Sequence, residues 1–305
     1  MYGTSAQAGP EPAPQAASQP PFGVGLRALR LVDNGRVIRL PTGGLVPRTL
    51  LAYVRYPALG GRSGGDLPGA PAARAAGPFP LVVFAHGFAL TPAQYARLLR
   101  SWVRAGYVVA APVFPLENAK APGGPDESDL INQPADMRLV ISRLLAADRT
   151  PTSPLAGLID AGRIAVAGHS DGAETALAVA YSRRFRDPRV SAAAIMSGAE
   201  MSGVGGFSFA RGSPPLLATQ GTADRVNEPR FTDEFFAAAR RPKYLLRLIG
   251  AGHLPPYSDQ YPQLSIVERV TIAFLDGYLK RTPGAPARLS SLGNAPGTAS
   301  LLAYP

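Results

Sequence analysis

The sequence Gly-His-Ser-Asp-Gly at 168–172 has the pattern Gly-x-Ser-x-Gly. A short apolar run at 164–167 precedes it, and a helical pattern over 172–181 follows. In a strand–turn–helix setting of this kind, a tight turn holds a serine with its hydroxyl above a sheet. Glycine at both ends avoids a Cβ that would crowd the neighbouring strand or helix. The pattern predicts that Ser170 is a nucleophile, with an ordinary turn capped by a serine as the alternative.

A serine hydroxyl needs a general base to react, and the chain contains only three histidines. His169 lies inside the turn, where its side chain should point away from the hydroxyl. His86 occurs early in the chain, at the end of a predicted strand. His253 follows the last strand of the alternating pattern, and ligands bind beyond the carboxyl ends of such strands. We therefore predict that His253 is the base; a histidine in a surface loop is the alternative.

The third group must be an acid that orients the imidazole and stabilises its charged form. Asp224 lies in the loop after a predicted strand at 215–219. Glu200, after the preceding strand, is a rival. We predict Asp224, which gives the chain order serine, aspartate, histidine.

Two backbone amides should stabilise the oxyanion that forms during acyl transfer. One is the amide of Asp171, directly after the nucleophile. The other is predicted to be the amide of Phe88, in the loop after a strand at 81–85. Gly87 allows that loop to turn toward the substrate. Phe88, Gly87 and His169 are predicted to contact the substrate, with plain packing as the alternative for Phe88.

These residues must be positioned by a sheet, because strand and helix patterns alternate from residue 81 to residue 280. Continuous apolar runs are typical of parallel strands that are buried on both faces. The predicted strands are 81–85, 107–111, 164–167, 190–196, 215–219 and 244–249, and the predicted helices are 93–104, 134–147, 172–181, 228–240 and 264–280. Two earlier strands, 26–32 and 49–56, are expected to be antiparallel, with a hairpin turn signal at 33–35. The sequence predicts an α/β fold with a mostly parallel sheet of about eight strands, helices on both faces and no large cap.

The composition is that of a globular protein, since 46% of the 305 residues are hydrophobic and 17% are charged. Residues 1–21 are rich in Ala and Pro and are predicted to be disordered, which leaves one domain over 22–305. No apolar run is long enough to predict a membrane span. The stretch after residue 281 is rich in Pro, Gly and Ser and is expected to wrap the surface.

The charge and the residue types narrow the classes of function. The net charge is +10, but the arginines are scattered, so a nucleic-acid interface is not favoured. The absence of cysteine excludes disulfides and thiolate metal sites, and we expect no metal or cofactor and a monomer. The Pro/Ala-rich start is typical of a protein whose signal peptide has been removed. We expect a secreted or cell-envelope protein, with the cytoplasm as the alternative.

Over residues 24–281 the chain resembles the α/β-hydrolase superfamily. The resemblance is carried by the motif at 168–172, by Asp224 and by His253, in the order typical of that fold. Within the superfamily, His-Gly-Phe at 86–88 and Gly-His-Ser at the motif resemble one branch. That branch contains chlorophyllases, platelet-activating-factor acetylhydrolases, cutinase-like polyester (PET-type) hydrolases and dienelactone hydrolases.

The members of this branch differ from the chain at specific positions. Dienelactone hydrolases use a cysteine nucleophile, and this chain has no cysteine. Polyester hydrolases share the aromatic residue at position 88 and the lack of a cap. They usually carry Met where this chain has Asp171, and often Trp where it has Ser-Gly-Ala-Glu at 197–200.

The resemblance and the residues together imply a serine-dependent carboxylic ester hydrolase that works through an acyl-enzyme. An uncapped, open site favours accessible esters with short to medium acyl groups. The alternatives are polyester hydrolysis, a non-catalytic binding protein on the same fold, and a basic nucleic-acid binder.

Overall fold

A computed structural model describes residues 22–61 and 64–305, and the segment predicted to be disordered, 1–21, lies outside these residues. Ten strands of the described chain form one mixed sheet. They are β1 (Gly23–Arg39), β2 (Leu45–Ala58), β3 (Leu67–Pro68), β4 (Phe79–Ala85), β5 (Val108–Val113), β6 (Ile159–His169), β7 (Val190–Met196), β8 (Leu216–Gly221), β9 (Lys243–Leu248) and β10 (Ala299–Tyr304).

The strand order across the sheet is β10-β9-β8-β7-β6-β4-β5-β2-β1-β3. The six central strands, from β9 to β5, run parallel to one another. Antiparallel strands flank them, because β2 pairs with β5 on one side and β10 pairs with β9 on the other. The mostly parallel sheet was therefore predicted correctly, with two strands more than the eight expected.

The α-helices of the described chain cover both faces of the sheet. They are α1 (Ala96–Arg104), α2 (Gln133–Arg149), α3 (Asp171–Tyr181), α4 (Pro229–Ala238), α5 (Pro255–Ser258), α6 (Gln263–Tyr278) and α7 (Ala285–Gly293). Successive side chains of a strand point to opposite faces. In β4, Leu81 and Val83 belong to the core that includes α2, α3 and α4. Val82 and Phe84 belong to the core that includes α1, α6 and α7.

Two features of the fold differ from the prediction. The stretch after residue 281 does not simply wrap the surface, because it forms α7 and then β10, which pairs with β9 over its whole length. The signal at 33–35 does not reverse the chain: β1 continues through it with a register shift, and the turn follows at 40–44.

The longest connections at the carboxyl ends of the parallel strands are 114–126, after β5, and 197–215, after β7. The link from β7 to β8 spans 197–215 and contains no helix, in keeping with the absence of a large cap. Within 22–61 and 64–305, no helix is long and apolar enough to cross a membrane. That 22–305 is a single domain stays a prediction.

Candidate active site

Ser170 lies between β6 and α3 with φ +56° and ψ −128°, a conformation that residues other than glycine rarely adopt. The turn is tight on both sides. A Cβ on Gly168 would lie 2.0 Å from the carbonyl oxygen of Gly172, and a Cβ on Gly172 would lie 2.2 Å from that of Ala85. The amide of Ser170 donates to the carbonyl of Met196 in the neighbouring strand, at 3.0 Å. The two glycines are thus required for the turn, and the sheet holds the strained serine in place.

His253 and Asp224 form a hydrogen-bonded pair, with 2.8 Å between His253 Nδ1 and Asp224 Oδ2. The aspartate is 3% exposed, and its Oδ1 accepts from the amides of Val226 and Asn227 at 2.9 and 3.1 Å. Burial opposes the ionisation of Asp224, but the hydrogen bond and charge of His253 and the Val226 amide outweigh it, so the pKa of Asp224 is lowered. Since the carboxylate accepts from Nδ1, Nε2 of His253 is the nitrogen left to take a proton.

The rival acid has a different partner. Glu200 Oε1 accepts from the backbone amide of Gly206 at 2.6 Å and so braces the loop between β7 and β8. Asp224 is the acid that contacts His253.

The hydroxyl of Ser170 donates a long hydrogen bond, 3.5 Å, to Asp171 Oδ1. Among the described residues it makes no hydrogen bond to His253. The loop that carries His253 meets the turn through His169, whose ring lies 4.6 Å from the ring of His253, centroid to centroid. Catalytic hydrogen bonds in free enzymes are often long or poorly aligned and shorten when a ligand binds.

The loop after β4, residues 86–90, packs against Ser170; because it contains the amide predicted to stabilise an oxyanion, we call it the oxyanion loop. A Cβ on Gly87 would lie only 3.0 Å from the Cβ of Ser170. The Phe88 amide in this loop and the Asp171 amide at the start of α3 have no hydrogen-bond partner within the described chain. Such free amides at a helix start and in a turn are suited to binding an anionic oxygen. The Phe88 side chain is 39% exposed, so its ring is accessible from solvent.

His169 does not fit the substrate contact predicted for it, because its side chain is completely buried. Its Nδ1 is 2.8 Å from the hydroxyl of Tyr95, and its Nε2 is 2.9 Å from the carbonyl oxygen of His253. Burial, reinforced by the nearby His253, lowers the pKa of His169 to about 3, so the ring is neutral. Both ring nitrogens are used inside the protein, which leaves none for a substrate.

His86 is also buried and neutral, since burial lowers its pKa to about 4. Its Nε2 accepts from the amide of Phe114 at 3.1 Å, so the proton is on Nδ1, which lies 2.9 Å from the carbonyl oxygen of Gly87. His86 therefore ties the oxyanion loop to the chain beyond β5.

Buried carboxyl groups lie at the start of α3, and one of them, Glu117, was not predicted as a site residue. Its side chain is inaccessible to solvent, and its backbone carbonyl accepts from the amide of Ala89 at 2.9 Å. Burial, and next the neighbouring Asp171, raise the pKa of Glu117 to about 11. Burial, together with Asp171, raises the pKa of Glu174 to about 9. Glu117 and Glu174 are therefore protonated at neutral pH.

Protonation of Glu117 also accounts for buried carboxyl oxygens that would otherwise lack a hydrogen-bond partner. Ionised, Glu117 would leave both carboxylate oxygens buried without a partner, and Asp171 Oδ2 is buried without one as well. A protonated Glu117 has an O–H that can donate to the carboxylate of Asp171. Within the described chain, no cluster of three or more His, Asp or Glu side chains is arranged to bind a metal ion.

The geometry can be compared with known proteins. The model of the chlorophyllase family matches residues 70–226, just over half of the chain, including the turn at 168–172 and Asp224. No curated protein matches the chain significantly. Among solved structures, the ferulic acid esterase from Streptomyces cinnamoneus superimposes with a TM-score of 0.67 at 23% identity. The alignment covers 94% of this chain and 98% of that one, and at this identity it supports the fold alone. The chain therefore belongs to the chlorophyllase family and is an α/β-hydrolase of the esterase type.

Proposed function

We propose that the protein hydrolyses carboxylic esters through an acyl-enzyme on Ser170, with His253 as general base and Asp224 as the acid that orients it. The observation that carries the proposal is the pair of His253 and a buried Asp224 at 2.8 Å. Further support comes from Ser170, which is held at φ +56° on a strand–turn–helix elbow. An imidazole oriented in this way is suited to accept a proton at Nε2.

In the first step, the Ser170 oxygen attacks the ester carbonyl while His253 Nε2 takes the hydroxyl proton. The carbonyl oxygen becomes negative, and the free amides of Phe88 and Asp171 are suited to donate to it. The C–O bond to the alcohol then breaks, and the imidazolium gives its proton to the leaving oxygen. Water repeats the sequence on the acyl-enzyme and regenerates the serine.

For the substrate, we propose accessible esters with short to medium acyl groups. Support comes from the connection at 197–215, which contains no helix that could form a cap, and from two exposed apolar side chains in the site loops. Phe88 is 39% exposed, and Val226, two residues after Asp224, is 65% exposed. These exposed side chains also favour a second candidate, hydrolysis of polyester chains, because apolar surface at an open site can contact a polymer.

The test is hydrolysis of p-nitrophenyl esters of increasing acyl length by the wild type and by Ser170→Ala. We expect activity in the wild type and a fall on the order of a million-fold in the variant. A matched control is Ser182→Ala, since Ser182 is also buried, 2% exposed, but lies beyond the far end of α3. Its activity should equal that of the wild type.

An active Ser170→Ala protein would contradict the mechanism. A wild type inactive on every ester, aryl esters of ferulic acid included, would instead favour a non-catalytic binding protein. Release of soluble products from polyester film by the wild type alone would identify the second candidate.

A further inference from the structure

A chain of hydrogen bonds crosses the buried side of the nucleophile turn. The amide of Gly87 donates to the hydroxyl oxygen of Tyr95 at 3.2 Å. The Tyr95 hydroxyl is 2.8 Å from His169 Nδ1, and His169 Nε2 is 2.9 Å from the carbonyl oxygen of His253. This series of hydrogen bonds thus begins in the oxyanion loop and ends in the loop after β9. We call that second loop, residues 249–254, the base loop.

The direction of every bond in this chain is determined. A backbone amide only donates, so the Tyr95 oxygen accepts from Gly87 and has its single proton left for His169 Nδ1. Because Nδ1 accepts, the ring proton of His169 is on Nε2. The carbonyl of His253 only accepts, and it receives that proton. No reversed arrangement satisfies all three contacts with a neutral imidazole.

The rings that take part in this series of hydrogen bonds are also packed without access to water. Tyr95 and His169 are both completely buried, and their ring centroids are 5.5 Å apart. The ring of His169 lies 4.6 Å from that of His253 and 5.1 Å from that of Tyr257 in α5. A Cβ on Gly87 would lie 3.3 Å from His169 Nδ1, so the oxyanion loop is pressed against the same ring. Tyr95 and His169 therefore contact both loops and have no free polar atom for another task.

We propose that Tyr95 and His169 are positioning residues that couple the oxyanion loop to the base loop across the nucleophile turn. The two loops carry the groups proposed to act on Ser170, the Phe88 amide and the His253 imidazole. A rigid bridge between them keeps both at a set distance from the serine. The inference rests on the proposed function, because it assigns roles in the same reaction.

The first arm of the test is Tyr95→Phe, which keeps the ring and removes the hydroxyl. It leaves the Gly87 amide and His169 Nδ1 buried without partners, so both loops lose their common anchor. We expect kcat for a p-nitrophenyl ester to fall roughly 10- to 100-fold, with little change in KM, because small misplacements of catalytic groups have effects of that size.

Tyr107→Phe is the matched control. Tyr107 is equally buried and lies in the same core, and its hydroxyl donates to Asp276 at 2.7 Å, outside the site. It should lose stability to a similar extent as Tyr95→Phe but keep the kcat of the wild type. Equal kcat values for the two variants would overturn the proposal.

The second arm measures His169→Leu and the milder His169→Gln, each alone and each combined with Tyr95→Phe. Links of one chain should not act additively, so the double variant should be no slower than the slower single variant. The glutamine amide can still donate to the His253 carbonyl and should restore part of the activity lost in His169→Leu. Multiplicative losses, or no difference between leucine and glutamine, would mean that the two residues only fill space.

A third readout does not depend on esterase activity. The 15N NMR spectrum of the wild-type imidazoles should show His169 neutral and protonated at Nε2, and Tyr95→Phe should perturb this signal whereas Tyr107→Phe should not. A proton on Nδ1 would refute the bridge. If the tautomer is as expected but no ester is cleaved, the proposed function fails and the hydrogen-bonded bridge between the loops remains.

Discussion

Replacing Glu117 by glutamine tests whether a buried, protonated acid lies beside Asp171, the residue after Ser170. The pKa of Glu117 is raised from its ordinary value of 4.5 to about 11, chiefly by burial and next by Asp171. In the unfolded chain the carboxyl ionises near its ordinary pKa. Between these two values the folded protein therefore binds more protons than the unfolded chain, and its stability falls as the pH rises. Glutamine has a similar shape, can donate to Asp171 and does not ionise, so Glu117→Gln should not suffer this loss.

The size of the effect follows from the shift. One proton bound only in the folded state changes the free energy of unfolding by at most about 1.4 kcal/mol per pH unit. From about pH 6 to about pH 8, both inside the shifted range, the wild type should lose up to roughly 3 kcal/mol relative to Glu117→Gln. Urea unfolding followed by fluorescence measures this difference directly, because the single tryptophan, Trp102, is completely buried and reports on the core.

The control for this experiment is Glu234→Gln, an exposed glutamate on the surface of α4. Its stability relative to the wild type should not depend on pH over the same range. If Glu117→Gln and the wild type lose stability in parallel between the two pH values, Glu117 is ionised in the folded protein and the reasoning is refuted.

Two further predictions concern the site and the turn. Asp224→Asn should fold normally but lower kcat by about ten-thousand-fold, because an amide at this position favours the wrong tautomer of His253. An active variant with an unchanged melting temperature would exclude Asp224 as the orienting acid. Gly172→Ala should lower the melting temperature by several degrees or prevent folding, since its Cβ would lie 2.2 Å from the carbonyl oxygen of Ala85. Gly162→Ala, whose Cβ would approach nothing closer than 3.4 Å, is the control, and equal melting temperatures would show that the turn relaxes easily.

The central sheet and the nucleophile turn could be predicted because their signals are local. Strands that are buried on both faces need continuous apolar runs, and β4 at Phe79–Ala85 contains the run predicted at 81–85. The turn around Ser170 needs glycine at both ends, because a Cβ would meet the backbone there. Asp224 and His253 were found because parallel strands bring the loops at their carboxyl ends to one edge of the sheet, and the two side chains do contact each other.

The edges of the sheet were harder to predict because local signals there conflict with tertiary pairing. The turn signal at 33–35 does produce a local hydrogen bond, since Asp33 Oδ1 accepts from the amide of Gly35 at 2.9 Å. Pairing of β1 with β2 nevertheless continues beyond it, so the chain does not reverse. β10 lies in a stretch rich in Pro, Gly and Ser, and it is a strand because β9 offers an unpaired edge.

The errors at the site have the same origin. A glutamate in a loop is usually exposed, and nothing near Glu117 in the sequence indicates that its side chain is buried. The orientation of His169 depends on Tyr95, which is 74 residues away in the chain. Sequence spacing predicted which residues gather at the edge of the sheet. It did not predict which of their side chains face inward, because that depends on partners distant in sequence.

The buried acids also bear on the chemistry proposed for Ser170. The carboxyl of Asp171 lies beside Ser170, with its Oδ1 3.5 Å from the serine hydroxyl, and the Asp171 amide is proposed to stabilise the oxyanion. An ionised Glu117 next to it would oppose the developing negative charge, because charges interact strongly in a buried site. Burial keeps Glu117 and Glu174 protonated at neutral pH, and an O–H donated by Glu117 would both hold the Asp171 carboxylate and draw its charge away from the reacting oxygen. We therefore expect the protonated Glu117 to keep a negative charge away from the proposed oxyanion, and the same carboxyl to make the stability of the fold fall as the pH rises.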